Sequence, residues 1–124
     1  MSGRPRVLLA DDHPGVVKAL GRLLSFECDV VGEIGDGSEV ADAAAALQPV
    51  VVVLDVNLPT VNGLEACRQI TSHTPRARVI VISAMTDEAI TQAAELAGAA
   101  HFFNKGAMGD ELVLAIKQAW EEVT

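Results

Sequence analysis

The 124-residue chain carries 17 acidic against nine basic side chains, a net charge of −8, and is 50% hydrophobic. That length holds one domain with a core of its own, and that composition excludes a disordered, collagen-like or coiled-coil chain. The acidic balance, with no face gathering the bases, argues against direct nucleic-acid binding, and the longest apolar run, residues 50–54, falls far below the ~20 residues of a membrane span.

The opening segment Met1 to Arg6 carries no secretory pattern, which points to the cytoplasm, and leads into a first strand over 6–10. Val16, Leu20, Leu23 and Leu24 then share one face of a helix. A strand over 29–34, an Ala-rich helix over 38–47 and a strand over 50–54 follow. The turn from Pro59 to Asn62-Gly63 enters a helix over 63–72, and a strand over 78–83 leads to a second Ala-rich helix over 87–97. A strand over 100–103 sends Phe102 and Phe103 to opposite faces, and Leu112, Ile116, Ala119, Trp120 and Val123 share one face of the last helix. Five short apolar strands alternating with five helices predict an α/β domain over 1–124, a doubly wound parallel sheet with helices on both faces. Cys28 and Cys67, outside any metal-finger or C-x-x-C spacing, read as reduced, packed thiols.

Such sheets bind ligands outside the carboxyl ends of their strands, near the point where strand order reverses. Asp11 and Asp12 follow the first strand, Asp55 the third, Ser83 closes the fourth and Lys105 lies just past the fifth. Three carboxylates in one crevice need positive charge among them, and an all-oxygen set suits a hard divalent cation, Mg²⁺, better than zinc. A carboxylate nucleophile, a metal, an ammonium and a hydroxyl are the parts that phosphoryl transfer onto an aspartate requires. Each also has a plainer reading. The acidic pair can cap the first helix, Asp55 can start a turn, Lys105 can be a solvated lysine and Ser83 a turn residue. His13 fits a helix start better than a metal ligand, and only the joint placement is informative.

Leu8-Leu9-Ala10-Asp11-Asp12-His13-Pro14, Val53-Leu54-Asp55-Val56-Asn57-Leu58-Pro59 with Asn62-Gly63, Val81-Ile82-Ser83-Ala84 and Ala97-Gly98-Ala99 through Phe102-Phe103-Asn104-Lys105 together resemble the receiver domains of two-component response regulators. The resemblance covers essentially the whole chain. It implies a flavodoxin-like sheet in the order 2-1-3-4-5, with Asp55 phosphorylated by a sensor histidine kinase. It further implies Mg²⁺ held by Asp12, Asp55 and the Asn57 backbone carbonyl, with Asp11 acting through a metal-bound water. Lys105 would pair with the phosphoryl group, Ser83 and Ala84 would border it, and Phe102 would follow Ser83 as the switch. Two features depart from the common pattern: Gly106 follows Lys105 where a cis-proline is usual, so a trans bond is expected, and Phe102 lacks the hydroxyl of a tyrosine. The His-Pro after the acidic pair is more like the NarL-type regulators, which implies a C-terminal DNA-binding domain in the parent protein. A second copy of the chain is a further candidate partner.

The leading expectation is therefore a phosphorylation-controlled module with self-phosphorylation and autodephosphorylation but no separate substrate turnover. The alternative is a Mg²⁺-dependent phosphohydrolase with an aspartyl-phosphate intermediate. Such an enzyme wants an acid/base carboxylate two residues after the nucleophile, where this sequence has Asn57. A pseudo-receiver and a nucleotide-binding module are weaker readings, the one against a complete set of site residues, the other without a glycine-rich phosphate loop.

Overall fold

The computed structural model describes residues 3–85, 87–107 and 109–123, less the side chains of Ala107 and Val123. Val123, expected on the apolar face of the last helix, thus has its side chain outside the described residues. Strands β1 (Arg6–Ala10), β2 (Asp29–Ile34), β3 (Val51–Asp55), β4 (Arg78–Ser83) and β5 (His101–Asn104) form one parallel sheet in the order β2-β1-β3-β4-β5. Helices α1 (Pro14–Leu24), α2 (Val40–Leu47), α3 (Gly63–His73), α4 (Glu88–Leu96) and α5 (Asp110–Val123) alternate with them. The expected doubly wound architecture and its strand order both hold.

Strand alternation divides the interior into two cores. Leu8, Ala10, Val52, Leu54, Val79 and Val81 face α2, α3 and α4, whose contribution is small: Ala44, Ala66, Cys67 and Ala94 beside Val40 and Ile70. Val7, Leu9, Val51, Val53, Ile80 and Ile82 face Leu20 and Leu24 of α1 and Leu112, Ile116 and Ala119 of α5. Phe102 packs on the first core and Phe103 on the second, the separation that alternation requires. Both cysteines are buried and unpaired, and burial pushes the Cys67 thiol up to about 11.

The observed boundaries differ from expectation at the ends of several elements. The third strand runs to Asp55, not Leu54, because Asp55 still pairs with Ile82 of β4. The fifth is shifted by one, starting at His101, because Asn104 pairs with Ser83. The second helix begins as a 3-10 turn, Gly37–Glu39, with Asp36 accepting from Ser38 N–H, and becomes α-helical only at Val40. Asp87 is the N-cap of α4 rather than its first residue, accepting from Ile90 N–H at 2.9 Å. The third helix runs one residue past expectation, to His73. Gly98, at φ +101°, ends α4 where a side chain would meet Thr71 2.7 Å away. Among the described residues no helix is long and apolar enough to cross a membrane.

Candidate functional site

β1 and β3 lie side by side in register, Leu9 opposite Val53 and Ala10 opposite Leu54, so Asp11 and Asp55 emerge together at the carboxyl edge. This is the point where strand order reverses. Both carboxylates are buried, 3% and 1% exposed as residues. Lys105 reaches between them from the end of β5, its Nζ 2.8 Å from Asp11 Oδ2 and 3.2 Å from Asp55 Oδ2. The approach to Asp11 Oδ2 is an ion-pair contact off the hydrogen-bonding direction, so this buried oxygen keeps no hydrogen bond. The Lys105–Gly106 bond is trans as expected, and Gly106 N–H donates to Asn104 Oδ1 at 2.7 Å, a bond that proline could not make. The resulting 3-10 turn, Lys105–Ala107, sets the direction of Lys105.

Asp12 and His13 complete the cluster at its rim. Asp12 is exposed and does not cap α1; the N-cap is His13, in extended backbone and with no side-chain capping bond. His13 N–H instead donates to Asp11 Oδ1 at 2.8 Å, and its ring Nδ1 stands 2.9 Å from the same oxygen and 3.2 Å from Asp12 Oδ1. Sequence reasoning placed His13 at the helix start, where it is, but missed that its ring turns back into the carboxylates. The adjacency Asp-Asp-His was the available signal.

Burial raises the Asp55 carboxyl above its usual range, and the Asp11 charge raises it further, against the opposing pull of Asn57 N–H and Lys105. Burial pulls Lys105 down, but Asp11 and Asp55 together outweigh it and hold the ammonium above its ordinary value. Asn57 N–H lies 3.3 Å from Asp55 Oδ1, and the backbone behind is tight: a Cβ on Gly63 would stand 2.1 Å from the Asp55 carbonyl oxygen. That approach is why glycine opens α3.

Ser83, fully buried at the end of β4, accepts from Met85 N–H at 3.0 Å through its hydroxyl. Ala84 beside it is exposed, and Phe102 is half-buried on β5, whose register sets it beside Val81. A cleft of about 410 Å³ lined by Asp11, Asp12, Pro14 and Lys18 opens from the acidic group. A larger hollow of about 860 Å³, between α1 and β2 near Arg4 and Cys28, gathers none of these groups.

Residues 7–117 match the family model described as the response regulator receiver domain. The chain belongs to that family. This receiver is 40% identical over 114 residues to the DNA-binding transcriptional activator DevR/DosR of Mycobacterium tuberculosis, covering 90% of this chain and 52% of that protein. It is 34% identical to the response regulator GacA of Pseudomonas aeruginosa, over 93% of this chain and 55% of that one. A solved receiver domain of NarL from Mycobacterium tuberculosis superposes with a TM-score of 0.89 at 33% identity, covering 94% of this chain and 96% of that one. The likeness to NarL- and DevR-type regulators agrees with the His-Pro signature, and the receiver spans about half the length of the curated relatives it matches.

Proposed function

We propose that this receiver takes a phosphoryl group from the phosphohistidine of a sensor histidine kinase onto Asp55, and that the phosphorylated state drives a DNA-binding effector domain lying beyond this chain. The observation that carries the reading is the buried Asp55 carboxylate held between Asp11 and the Lys105 ammonium at the strand-order reversal. In the transfer an Asp55 oxygen forms the new P–O bond as the P–N bond to imidazole breaks, and Lys105 is placed to follow the charge from carboxylate to phosphoryl oxygen. The module uses this chemistry on itself and turns over no separate substrate. It acts in the cytoplasm, as a single domain over 1–124.

The donor set fits Mg²⁺. Three carboxylates face one ammonium, the oxygens are hard, and Asp11 Oδ2 is buried with no hydrogen bond, the position a metal-bound water would satisfy. Asp12, Asp55 and the Asn57 carbonyl would hold the ion, with Asp11 acting through water. When bound, the ion neutralises charge on the transferring group. The Ser83 hydroxyl, which accepts from Met85 N–H, then donates its own proton to a charged phosphoryl oxygen, a bond worth roughly 1.5–3 kcal/mol, and Phe102 moves into the space it leaves. The phosphohydrolase reading is not favoured, because the acid/base position carries the Asn57 amide.

Incubation with acetyl phosphate and Mg²⁺ is expected to add one acid-stable, base-labile phosphoryl group, read by intact mass. Labelling that persists in Asp55→Ala would overturn the assignment.

A further inference from the structure

We infer that His13 supplies a nitrogen ligand to the cation centre at Asp11, Asp12 and Asp55, and that this ligand turns the centre's preference from Mg²⁺ toward a later first-row cation such as Mn²⁺ or Co²⁺. The inference rests on the metal-dependent reading above and adds to it a specificity-determining residue.

The geometry starts from what the imidazole does not do. His13 is the N-cap of α1, yet its side chain makes no capping bond, and Pro14 occupies the first turn. The side chain is 59% exposed, so core packing does not fix the ring either. Its direction comes from the carboxylates. Asp11 Oδ1 accepts the backbone N–H of His13, and ring Nδ1 stands 2.9 Å from the same oxygen, 3.2 Å from Asp12 Oδ1, 3.9 Å from Asp55 Oδ2 and 3.4 Å from Lys105 Nζ, so the tautomer that carries its proton on Nε2 turns the Nδ1 lone pair into the cluster. Adjacent ligands around an octahedral ion with bonds of about 2.1 Å lie about 3.0 Å apart. The separation of Nδ1 from Asp12 Oδ1, 3.2 Å, is close to that edge. One ligand atom from each of Asp11, Asp12, His13 and Asp55 lies within 4.8 Å of the others.

A second observation is independent of the ring. Three carboxylates, Asp11, Asp12 and Asp55, gather around one lysine ammonium, which is already shared between Asp11 Oδ2 at 2.8 Å and Asp55 Oδ2 at 3.2 Å, so the cluster holds more negative charge than that lysine answers. The chemistry of the added ligand then sets the preference. Carboxylate oxygens suit Mg²⁺ and Mn²⁺ alike, whereas imidazole strengthens binding of transition metals along the series from Mn²⁺ onward and does little for Mg²⁺. A centre with three oxygens and one nitrogen therefore discriminates where an all-oxygen centre does not.

The test uses the full chain loaded with Mn²⁺. Pulsed electron paramagnetic resonance is expected to show coupling to an imidazole ¹⁴N in the parent and none in His13→Ala. Calorimetric titration is expected to show Mn²⁺ and Co²⁺ binding weakened on the order of tenfold in His13→Ala, with Mg²⁺ binding changed by less than about twofold. Absence of the nitrogen coupling in the parent overturns the inference without reference to any variant. If Asp12→Ala abolishes binding of all three ions while His13→Ala alters none, the carboxylate centre stands and His13 is only a hydrogen-bond donor to Asp11. If the parent binds no Mg²⁺, the metal-dependent reading itself falls.

Discussion

Strands β1 and β3 change character within one residue. Through Ala10 and Leu54 every inward position is a closed aliphatic side chain, packed against helices on both faces. At Asp11, just past β1, and at Asp55, the last residue of β3, the chain is still buried and carries carboxylates, and the compensating charge comes from a single lysine just past β5. The interior is redundant: many contacts of similar size share the load, and none depends on pH. The rim is a small set of unlike charges in which one member answers for two, so its balance shifts with the protonation of any one of them. Stability resides in the first region and responsiveness in the second.

A core truncation should give the largest effect and leave the rim's chemistry intact. Leu24→Ala, at a fully buried position of the α1–α5 core, is expected to lower the unfolding free energy by about 3 kcal/mol, equally at pH 5 and pH 8 by urea denaturation. Lys105→Met, measured without divalent ions, is expected to cost about 2 kcal/mol at neutral pH, less than a wholly enclosed pair because water reaches the rim. The raised lysine value means that this contribution is complete below the unfolded value and is lost as pH rises through the folded one, in the alkaline range. It should also shrink in acid, where Asp55 is protonated.

Cation binding sharpens the contrast from the other side. Mg²⁺ at ten times its dissociation constant should stabilise the parent by about 1.4 kcal/mol and leave Asp12→Ala unmoved, as thermal melts would show. Asp55→Asn has the smallest effect and the opposite sign to the lysine change. The folded Asp55 carboxyl titrates above its ordinary range, so the stability tied to its protonated form is present at low pH and lost as pH rises through the folded value. Removing the charge is expected to raise Tm at pH 7 by roughly 3 °C or more, the scale of about 1 kcal/mol in a domain of this size, and to make no difference in acid.

The interior was almost wholly legible because its signal is local: β-branched runs and helical spacing report burial without knowledge of partners. The differences fall at element ends: Asp55 and Asn104 lie inside their strands, Asp87 lies outside its helix, and the second and third helices begin and end off expectation, at Val40 and His73. Backbone pairing with Ile82 and Ser83 carries the first two into strands, and a capping bond keeps Asp87 outside its helix. The rim was legible as a list of residues and not as a geometry. Asp11, Asp55 and Lys105 converge as their strand ends require. The His13 ring, the Ser83 hydroxyl on Met85 N–H and the Asn104 bond that orients Lys105 depend on rotamers that no spacing rule encodes.

The wide separation of Lys105 from its carboxylates along the chain also bears on the order of assembly. β1 needs β2 and β3 on its two edges, and all three leave the ribosome before β5 exists. A nascent chain that paired them would hold Asp11 and Asp55 together with no ammonium between them until fifty residues beyond Asp55 had followed. Early pairing of β1 with β3 is therefore opposed by that charge as well as by the missing Leu112, Ile116 and Ala119 of the second core, and both are supplied only when the last strand and helix arrive. In a chain cut after Ser83, amide exchange at residues 8–10 is expected to show none of the protection that the same amides have in the finished sheet.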